Sequence, residues 1–478
     1  MQDYFYYIAG KFKKSKEEIL SLNPATEEVL GRVFETAEED LAEAVKSAKS
    51  AYKEFCARSF KERAELLRTI QKSILDNLQD LAQLESRDIG KPLKESLFVD
   101  VPLAAEAFGY YASFLENLEG HIQNSSSGED IITYMPFGVC GIYLPYNVPL
   151  MIFGFSAAAA LAAGNSVIIK PSEYSSLSML KLAQILDKEG LPCGLINVIT
   201  GKGEAAGKRL AEADIDLISF TGSRNTLKKI VSASAKNPKK IICELGGANI
   251  CAVFSDADLE QAKQNILGSS FMKQGQMCIG TSLVAVEDKI YGDFVSVLAE
   301  SAKKIKTGDP FDPLTGMGPI ISREHLLSLD EKVQKLLSQG AKILCGAKPV
   351  EGRGYFYPAT IIEVSQPVYE EFFGPVILTT KFKNRQDLEQ IINANPTGLV
   401  LQLWTKDLQK AKEIAAAAQT GTVWINTFAQ MNAGTPFGGA KQSGFGRNLG
   451  REGFFEYVQA KHIGIGFGKS PVCGWFGV

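Results

Sequence analysis

Residues 139–244 show a regular alternation of two kinds of segment. Short apolar or β-branched runs, typical of buried strands, cover residues 139–144, 166–170, 196–199, 217–220 and 240–243. The segments between them are predicted as helices and cover residues 150–163, 175–189, 204–213 and 223–236. This alternation predicts a parallel sheet with crossover helices, and ligands of such sheets bind at the carboxyl ends of the strands.

Two helices are predicted upstream of this region. The first is indicated by apolar residues at helical spacing, at Leu41, Val45, Ala48, Tyr52 and Phe55. The second is predicted to begin at Ser59, where the hydroxyl caps the first turn and Glu62 completes a capping box. It is predicted to end near Gly90 and Pro92. Before both helices, a turn at residues 23–26 separates two short extended stretches.

A second alternating region follows residue 244. Its predicted strands cover residues 251–254, 282–286, 361–364 and 422–426, and its predicted helices cover residues 259–273 and 291–305. Polar residues 125–128 separate two extended runs within residues 121–137, which predicts a hairpin. An exposed hairpin of this kind serves either as a dimer arm or as an ordinary surface loop, and the sequence leaves both open.

Composition places the chain among ordinary globular proteins of more than one domain. Its 478 residues exceed what one hydrophobic core serves, so two or three domains are expected. Hydrophobic residues make up 45% and charged residues 22% of the chain, and the net charge is −3. A nearly neutral surface gives no indication of binding to nucleic acid or to an anionic membrane.

The cysteines, the histidines and the N-terminus narrow the class of protein further. Eight cysteines include no Cys-x-x-Cys pair, and three histidines lie far apart, which argues against a disulfide framework and a metal centre. The first residues lack a basic segment followed by a long apolar one, so no secretory signal is predicted. The longest apolar run, residues 151–163, is too short to span a bilayer. These features predict a reducing, cytoplasmic location.

One cysteine has surroundings that suit a nucleophile. Small and polar residues flank Cys278, which follows Gly275 and Gln276 and precedes residues 279–282. A thiolate is a strong nucleophile, and Glu244, followed by two glycines, is a candidate base. A cysteine is more often core filler, and that is the interpretation for those inside apolar runs, namely Cys140, Cys243 and Cys251.

Polar or glycine-containing segments also follow each of the five predicted strands. They are Asn147, residues 170–173, residues 201–203, residues 220–223 and Glu244. Any one of them could be an ordinary turn, but five on successive strands indicate a nucleotide site. The Gly-x-Gly-x-x-Gly fingerprint is absent, because Gly201, Gly203 and Gly207 have a different spacing.

Ordered motifs along almost the whole chain resemble those of the aldehyde dehydrogenase superfamily. They occupy residues 136–139, 144–147, 162–165, 170–173, 220–223, 244–247, 275–278, 371–375 and 436–439. The resemblance implies an α/β fold with a Rossmann-type cofactor domain, an α/β catalytic domain and a small β oligomerisation arm. The implied cofactor domain covers residues 1–120 and 138–244, with residues 428–454 returning to it. The catalytic domain covers residues 245–427, and the β arm covers residues 121–137 and 455–478.

The same resemblance implies roles for the catalytic residues, with Lys170 counted among them. Cys278 would attack the aldehyde to form a thiohemiacetal, and hydride transfer to a nicotinamide would leave a thioester. The side-chain amide of Asn147 and the backbone N–H of Cys278 would hold the oxyanion, and one such donor is worth roughly 3 kcal/mol. Glu244 would activate the hydrolytic water.

Further positions are implied to bind the cofactor. They are Tyr146, Lys170, Ser172, Glu173, Gly203, Phe220, Thr221, Gly222, Ser223, Leu245, Glu371 and Phe373. Lys170 and Glu173 would contact the adenosine ribose, and the carboxylate would repel a 2′-phosphate, so NAD is expected in preference to NADP. Ser223 would lie at a helix N-terminus near the pyrophosphate.

The substrate is less strongly constrained. The residues implied to line the substrate tunnel are apolar: Val148, Met151, Phe155, Met272, Met277 and Phe437. They predict a neutral hydrophobic or aromatic aldehyde, although a loop arginine such as Arg447 could favour a semialdehyde with a carboxylate. A CoA-acylating enzyme and a non-catalytic cofactor-binding relative are the alternatives, and intact Asn147, Glu244 and Cys278 argue against the latter.

Four residues depart from the usual pattern of the superfamily. Tyr146 stands where tryptophan is usual, Leu227 where a glycine follows the Phe-Thr-Gly-Ser motif, Leu283 where arginine is common, and Ser156 where many relatives carry a lysine or arginine. The resemblance further implies a homodimer or homotetramer, with no nucleic-acid or membrane partner.

Overall fold

The computed structural model describes residues 1–118, 121–125 and 128–467. Its strands in chain order are β1 Gln2–Tyr4, β2 Tyr6–Ile8, β3 Lys11–Lys13, β4 Glu18–Leu22, β5 Val29–Phe34, β6 His121–Ser125, β7 Gly128–Pro136, β8 Val139–Tyr143, β9 Ser166–Lys170, β10 Ile196–Val198, β11 Leu217–Gly222, β12 Lys240–Leu245, β13 Asn249–Val253, β14 Thr281–Glu287, β15 Lys342–Cys345, β16 Thr360–Glu363, β17 Val376–Phe382, β18 Thr397–Gly398, β19 Val400–Trp404, β20 Thr422–Ile425, β21 Ala440–Lys441, β22 Gly444–Phe445 and β23 Val458–Gly466.

The α-helices lie between these strands. They are α1 Glu38–Phe55, α2 Phe60–Asp76, α3 Leu78–Ile89, α4 Leu93–Glu95, α5 Val101–Glu116, α6 Pro149–Ala163, α7 Leu177–Lys188, α8 Lys208–Glu212, α9 Arg224–Ser234, α10 Leu259–Phe271, α11 Tyr291–Ala302, α12 Arg323–Ser338, α13 Arg385–Ala394, α14 Leu408–Ala417 and α15 Gly450–Phe455. Short π-helical turns at Ser96–Asp100 and Gly203–Gly207 continue into α5 and α8.

The first large sheet contains the predicted parallel strands. In the described residues its order is β22-β12-β11-β8-β9-β10-β2-β3, and β12, β11, β8, β9 and β10 run parallel to one another. The predicted parallel sheet with crossover helices is therefore confirmed for these five strands. The sheet as a whole is mixed, because β22 and the β2–β3 hairpin add antiparallel strands at its two edges.

A second large sheet follows Glu244 in the chain. Its order in the described residues is β15-β16-β17-β14-β13-β19-β20, with β15 antiparallel and the others parallel. The four strands predicted in this region correspond to β13, β14, β16 and β20. The sequence prediction missed β15, β17 and β19, although β17 and β19 are apolar or β-branched runs of the expected length.

The helices agree with the predictions in position and differ at their ends. The capping box at Ser59 and Glu62 is present at the start of α2. The single helix predicted from there to Gly90 is wrong, because Asn77 leaves the helical conformation with φ −114° and ψ 18° and divides it into α2 and α3. α3 ends at Gly90 in the left-handed conformation that glycine favours. The helix predicted to reach residue 273 ends at Phe271, where a 3₁₀ turn begins.

Buried helix α6 occupies the centre of the largest apolar core. Almost all of its residues are buried, and it packs against α5, where a Cβ on Gly154 would lie 2.6 Å from the Cα of Ala104. Helices α2 and α5 complete this core. Because α6 starts just after strand β8, its rigid packing fixes the loop between them, residues 144–148.

A separate three-stranded antiparallel sheet has the order β23-β7-β6. The hairpin predicted in residues 121–137 is confirmed as β6 and β7, and β23 pairs with β7 from Val458 opposite Pro136 to Gly466 opposite Gly128. The tip residues Ser126 and Ser127 lie outside the described residues, as do residues 468–478 of the β arm.

Candidate active site

The polar residues at the strand ends lie along one edge of the first large sheet. Tyr143 is opposite Lys170 and Phe220 in the register, and Thr221 is opposite Glu244. Asn147 follows β8 by four residues and is 4% exposed. The sheet thus brings the ends of β8, β9, β11 and β12 together, as parallel strands require.

Cys278 lies after a turn with unusual backbone angles. Lys273, Gln274 and Gly275 have φ values of 51°, 56° and 67°, in the left-handed region. A Cβ on Gly275 would lie 2.1 Å from the carbonyl oxygen of Gly374, so the turn packs directly against the loop that carries Glu371 and Phe373. This turn brings Cys278 from the second sheet region to the strand ends of the first.

Two asparagines fix the backbone around Cys278. The Nδ2 of Asn147 donates to the carbonyl of Gln276 at 2.7 Å, so its amide lies against the residues that precede the thiol. The Nδ2 of Asn249 donates to the carbonyls of Cys278 and Gly280 at 2.7 and 2.8 Å. A third polar group, the Oε1 of Gln276, accepts hydrogen bonds from the backbone N–H of Ile321 and the hydroxyl of Tyr146.

The partly exposed thiol and the buried candidate base both have raised pKa values. Burial, followed by the carboxylates of Glu244 and Glu371, raises the pKa of Cys278 to about 12, against the opposing N–H groups of Ile279 and Cys278 itself. Burial likewise raises the pKa of Glu244 well above its usual range, opposed by the guanidinium of Arg447 and by the backbone N–H of Gly439, which lies near the carboxylate but outside hydrogen-bond geometry. Strongly perturbed titratable groups in a cleft are typical of catalytic sites.

Glu244 is buried with neither carboxylate oxygen hydrogen-bonded to the described residues. A buried carboxylate that lacks a partner is costly, so these two oxygens are suited to hold a water molecule or a substrate proton. Arg447 donates from Nη1 to the carbonyls of Gly439 and Gly446 at 2.9 and 2.6 Å. Its guanidinium is therefore held beside Glu244 by the backbone, which argues against a role for Arg447 in binding a substrate carboxylate.

One continuous cleft joins Cys278 to most of the predicted cofactor residues. Its volume is about 1430 Å³, larger than the ~300–1,000 Å³ of typical small-molecule sites. The predicted residues that line it are Tyr146, Asn147, Val148, Lys170, Ser172, Glu173, Gly203, Phe220, Thr221, Gly222, Ser223, Glu244, Cys278, Glu371 and Phe373. The cleft therefore reaches from the thiol to Lys170 and Gly203, which lie at and after the ends of the neighbouring strands β9 and β10.

The donors and acceptors along the cleft fit an extended dinucleotide. The Nζ of Lys170 lies 3.5 Å from the Oε2 of Glu173, and the Oε1 of Glu173 accepts from the backbone N–H of Gly203 at 3.2 Å. This arrangement leaves carboxylate lone pairs for ribose hydroxyls. Ser223 is the N-cap of α9, where its hydroxyl accepts from the N–H of Thr226 at 3.2 Å, so the helix N-terminus faces the cleft.

The other end of the cleft suits a flat ring and its ribose. The Oε1 of Glu371 accepts from the N–H of Gly247 at 3.1 Å, and burial raises the pKa of Glu371 to about 7. A Cβ on Gly246 would lie 1.8 Å from that same oxygen, so only glycine allows this approach. The rings of Phe373 and Tyr146 meet edge to face at 5.8 Å.

The remaining predicted site residues do not line the cleft, and Val148, which does, also belongs to an apolar core. Leu245 is buried in the same core cluster as Phe220 and does not line the cleft. Val148, Phe155 and Phe437 belong to the apolar core against which Cys278 and Met151 pack. Cys278 therefore borders this core, whereas Met272 and Met277 lie in the turn that precedes Cys278.

Three residues at the site were missed by the sequence prediction. Lys91 is completely buried and donates from Nζ to the backbone carbonyl of Asn147 at 3.1 Å. Asn249 holds the carbonyl of Cys278, and His325 lines the cleft with its Nε2 2.8 Å from the carbonyl oxygen of Phe373. A lysine just after Gly90 was available as a signal, but its contact with Asn147 spans 56 residues and depends on tertiary packing.

The residues that depart from the superfamily pattern are accommodated by packing. Ser156 is fully buried and accepts from the hydroxyl of Ser219 at 3.4 Å, so a long charged side chain has no place at this position. Leu283 is fully buried in β14, and Leu227 on α9 packs against the core that contains Phe220. Tyr146 keeps its aromatic ring in the cleft and uses its hydroxyl on Gln276.

The described residues contain neither a metal-binding cluster nor a membrane-spanning helix. Across residues 1–118, 121–125 and 128–467, no group of His, Cys, Asp and Glu side chains has the arrangement of a metal site. In the same part of the chain, none of the helices combines the length and the apolar character that crossing a membrane requires.

Comparison with known proteins gives matches over nearly the entire chain. The aldehyde dehydrogenase family model matches residues 12–463. The betaine aldehyde dehydrogenase of Bacillus subtilis (strain 168) is 40% identical, with 98% of this chain and 99% of that protein covered. The aldehyde dehydrogenase cytosolic 1 of Rattus norvegicus is 36% identical over 93% of this chain and 91% of its own length.

Solved structures are similarly close. A betaine aldehyde dehydrogenase from Staphylococcus aureus in complex with NAD+ superimposes with a TM-score of 0.95 at 34% identity, covering 99% of both chains. The NAD+ complex of an aldehyde dehydrogenase from Bacillus cereus gives a TM-score of 0.95 at 32% identity, covering 98% of this chain and 97% of that one.

Proposed function

Because the chain belongs to the aldehyde dehydrogenase family, we propose that Cys278, Asn147 and Glu244 carry out its reaction. The protein is an enzyme that oxidises aldehydes with NAD as the acceptor. The observation that carries the residue assignment is the single cleft that joins the thiol of Cys278 and the partnerless carboxylate of Glu244 to the dinucleotide-binding strand ends.

The first half of the reaction takes place at the thiol. Cys278 gives its proton to a water molecule, and its sulfur forms a bond to the aldehyde carbon while the carbonyl oxygen becomes an oxyanion. The Nδ2 of Asn147 and the backbone N–H of Cys278 stabilise this oxyanion as preorganised donors. The nicotinamide of the bound cofactor supplies the acceptor for the hydride that leaves the same carbon. A thioester on Cys278 remains.

The second half uses Glu244. Its carboxylate takes a proton from a water molecule, and the water oxygen bonds to the thioester carbon. The carbon–sulfur bond then breaks, which releases the carboxylic acid and returns the thiolate. The unpartnered oxygens of Glu244 support this role, since a carboxylate already bonded to the protein would be a weaker base.

The cofactor preference is proposed to be NAD over NADP. The carboxylate of Glu173, anchored by Gly203 and Lys170, would accept hydrogen bonds from the adenosine ribose and repel a 2′-phosphate. We expect a lower KM for NAD than for NADP. The ratio should shrink in Glu173→Gln, which removes the negative charge but keeps a hydrogen-bonding side chain. An unchanged ratio would show that selectivity lies elsewhere.

The substrate is proposed to be a neutral hydrophobic or aromatic aldehyde. Cys278 and Met151 pack against the apolar core that contains Val148, Phe155 and Phe437, and Arg447 is held by backbone carbonyls. We expect kcat/KM for benzaldehyde and hexanal to exceed that for succinic semialdehyde. Because the B. subtilis relative is a betaine aldehyde dehydrogenase, betaine aldehyde belongs in the same panel, and a clear preference for it would overturn the neutral-substrate proposal.

The three-part organisation is proposed as follows. The first large sheet, with residues 1–120, 138–244 and 428–454, forms the cofactor domain, and residues 245–427 form the catalytic domain. Residues 121–137 and 455–478 form the β arm, which joins two subunits in a homodimer or a dimer of dimers. Support comes from the strand order, because β6, β7 and β23 pair with one another and with no other described strand.

The nucleophile assignment is tested by removing one sulfur. Cys278→Ala should abolish NADH production from benzaldehyde while leaving the Kd for NAD within about twofold, and Cys193→Ala, at an exposed cysteine, should remain fully active. Turnover that survives in Cys278→Ala would refute the assignment. A requirement of the unmodified enzyme for added CoA would instead favour an acylating reaction, in which a thiol resolves the thioester.

A further inference from the structure

A cluster of buried charges lies behind the oxyanion side of the site, and the proposed reaction does not use it. Glu85, Lys91, Glu95, Asp100 and Lys273 are each at most 5% exposed. We call these five side chains the buried charge cluster. Moving charges out of water is costly, and a buried ion pair is weak evidence for stability by itself. The contacts of the cluster indicate a different role.

Lys91 uses all three of its ammonium protons. Its Nζ lies 2.6 Å from the Oε1 of Glu85, 2.6 Å from the Oδ2 of Asp100 and 3.1 Å from the backbone carbonyl oxygen of Asn147. Burial opposes the charge on Lys91, but the two carboxylates outweigh it and keep the pKa of Lys91 raised. A permanent cation is therefore fixed against the backbone of the proposed oxyanion donor.

The other side of the cluster holds the turn that leads to Cys278. The Nζ of Lys273 lies 3.1 Å from the Oδ1 of Asp100, and the backbone N–H of Lys273 donates to both oxygens of Glu95 at 3.1 and 2.9 Å. Lys273 and Gln274 adopt left-handed backbone angles, which are unfavourable for residues other than glycine. These ionic contacts compensate for that strain and hold the turn in place.

The two sides meet again at the active site. The Nδ2 of Asn147 donates to the carbonyl of Gln276, which belongs to the same turn as Lys273. Lys91 contacts Asn147, and Asn147 contacts the turn that contains Lys273. Lys273 and Lys91 both contact Asp100, so these contacts form a closed circuit. A closed circuit of short contacts restricts the separation between the amide of Asn147 and the backbone of Cys278, which is the dimension of the oxyanion hole.

We propose that Lys91 is a positioning residue. Through its contacts with Asn147 and Asp100, it fixes the distance between Asn147 and the turn that contains Lys273, and with it the geometry of the oxyanion hole. This inference rests on the proposed roles of Asn147 and Cys278. A displacement of about 1 Å at a reacting centre can lower a rate by about 100-fold, so the loss of Lys91 has a large effect on catalysis without a direct contact to the substrate.

The test is a double-mutant cycle with Lys91→Met and Asn147→Ala. We expect Lys91→Met to lower kcat for benzaldehyde by about 100-fold, with the Kd for NAD unchanged, because the cluster does not line the cofactor cleft. The double variant should be no slower than Asn147→Ala, since both substitutions remove the same function. Independent, multiplicative losses in the double variant would overturn the proposal.

A second readout separates positioning from loss of structure. Alkylation of Cys278 by iodoacetamide needs the thiol but no oxyanion donor, so its rate in Lys91→Met should stay within about twofold of the unmodified enzyme. Arg63→Met is the matched control, because Arg63 is also buried and donates to a backbone carbonyl, that of Ala162, away from the site. We expect it to lower thermal stability and leave kcat unchanged. Equal kcat losses in both variants, or an alkylation rate that falls with kcat, would overturn the proposal.

Two other outcomes also test the proposal: misfolding of Lys91→Met and full activity of Asn147→Ala. If Lys91→Met does not fold, the variant Lys91→Met with Glu85→Gln removes Lys91 together with the carboxylate that only Lys91 neutralises, and leaves Asp100 paired with Lys273. This variant should fold, bind NAD and show the same loss of kcat, and wild-type kcat in it would refute the role of Lys91. If Asn147→Ala itself retains full activity, the proposed function of Asn147 fails first, and the positioning role fails with it.

Discussion

At the scale of single residues, burial dominates the chemistry of the cleft. Cys278, Glu244 and Glu371 lie close enough for the carboxylates to act on the thiol, and burial raises the pKa of all three. Burial therefore favours the neutral, protonated forms of Cys278 and Glu244. A cationic nicotinamide ring in the same cleft would stabilise the thiolate and the carboxylates, so cofactor binding and ionisation of these groups are coupled.

Glu371 gives the clearest pH dependence of cofactor binding. Its pKa of about 7 is raised above that of a free carboxyl, so the group gains a proton as the pH falls through about 7. The neutral form accepts hydrogen bonds from ribose hydroxyls less well and no longer attracts the nicotinamide cation. We expect the Kd for NAD, measured by titration calorimetry, to rise between about pH 8 and pH 6. In Glu371→Gln the Kd for NAD should be higher and should not change across this pH interval. If the Kd of that variant changes with pH as much as that of the unmodified enzyme, another group causes the pH dependence.

At the scale of elements, local signals were read correctly and long-range ones were not. The capping box at Ser59 and the N-cap at Ser223 are specified within four residues, and both are present. The division of the helix at Asn77 involves no glycine or proline, and asparagine, which is favoured at helix ends but also occurs within helices, marked it only weakly. The left-handed turn at Lys273 was missed because it is held by Glu95 and Asp100, far away in the sequence.

The same limit applies to the site. The sequence placed the polar strand ends together, because parallel strands end on one edge of their sheet, and the cleft contains almost all of these residues. Lys91, Asn249 and His325 could not be assigned, since each acts through a backbone carbonyl of a residue distant in sequence. Every residue has a backbone carbonyl, so the sequence does not show which side chain donates a hydrogen bond to which carbonyl.

The turn before Cys278 is expected to be intolerant of a side chain. In Gly275→Ala the new Cβ would lie 2.1 Å from the carbonyl oxygen of Gly374, and the turn would have to move. We expect kcat to fall at least about 100-fold. Gly340→Ala is the control, because Gly340 also has a positive φ, of 93°, but its Cβ would meet no atom within 4 Å. It should lose roughly 1–2 kcal/mol of stability, the cost of a side chain in the left-handed region, and keep full kcat. Equal kcat values for the two variants would contradict the account of the turn.

At the scale of the whole molecule, the sheet of β6, β7 and β23 is a separate unit that pairs with no other described strand. Alternate residues of β23 and the residue after it expose apolar side chains, with Ile463 at 41%, Ile465 at 43% and Phe467 at 72%. Exposed apolar rows beside sheet edges are typical of association surfaces. The other described strands form the two large sheets, the sheet β1-β5-β4 and the pair β18-β21, and none of these strands pairs with this segment.

The proposed β arm therefore predicts a concentration-dependent assembly. We expect sedimentation to give a dimer or tetramer at micromolar protein, and the double substitution Ile463→Lys and Ile465→Lys to shift it toward the monomer, because charges would oppose burial of this row. Leu314→Lys changes an equally apolar residue that is 76% exposed elsewhere and should leave the assembly unchanged. A monomeric unmodified protein, or a substituted one with unchanged mass, would exclude the arm from association.

The central claim is that Cys278 carries an acyl group that Glu244 helps water to remove, and trapping that group tests it most directly. Glu244→Gln should form about one NADH per active subunit in a rapid burst with benzaldehyde and NAD, then turn over slowly. Intact-mass spectrometry at that point should show a benzoyl adduct, and digestion should locate it on the peptide that contains Cys278. A full burst with no adduct, or an adduct on another residue, would contradict the account.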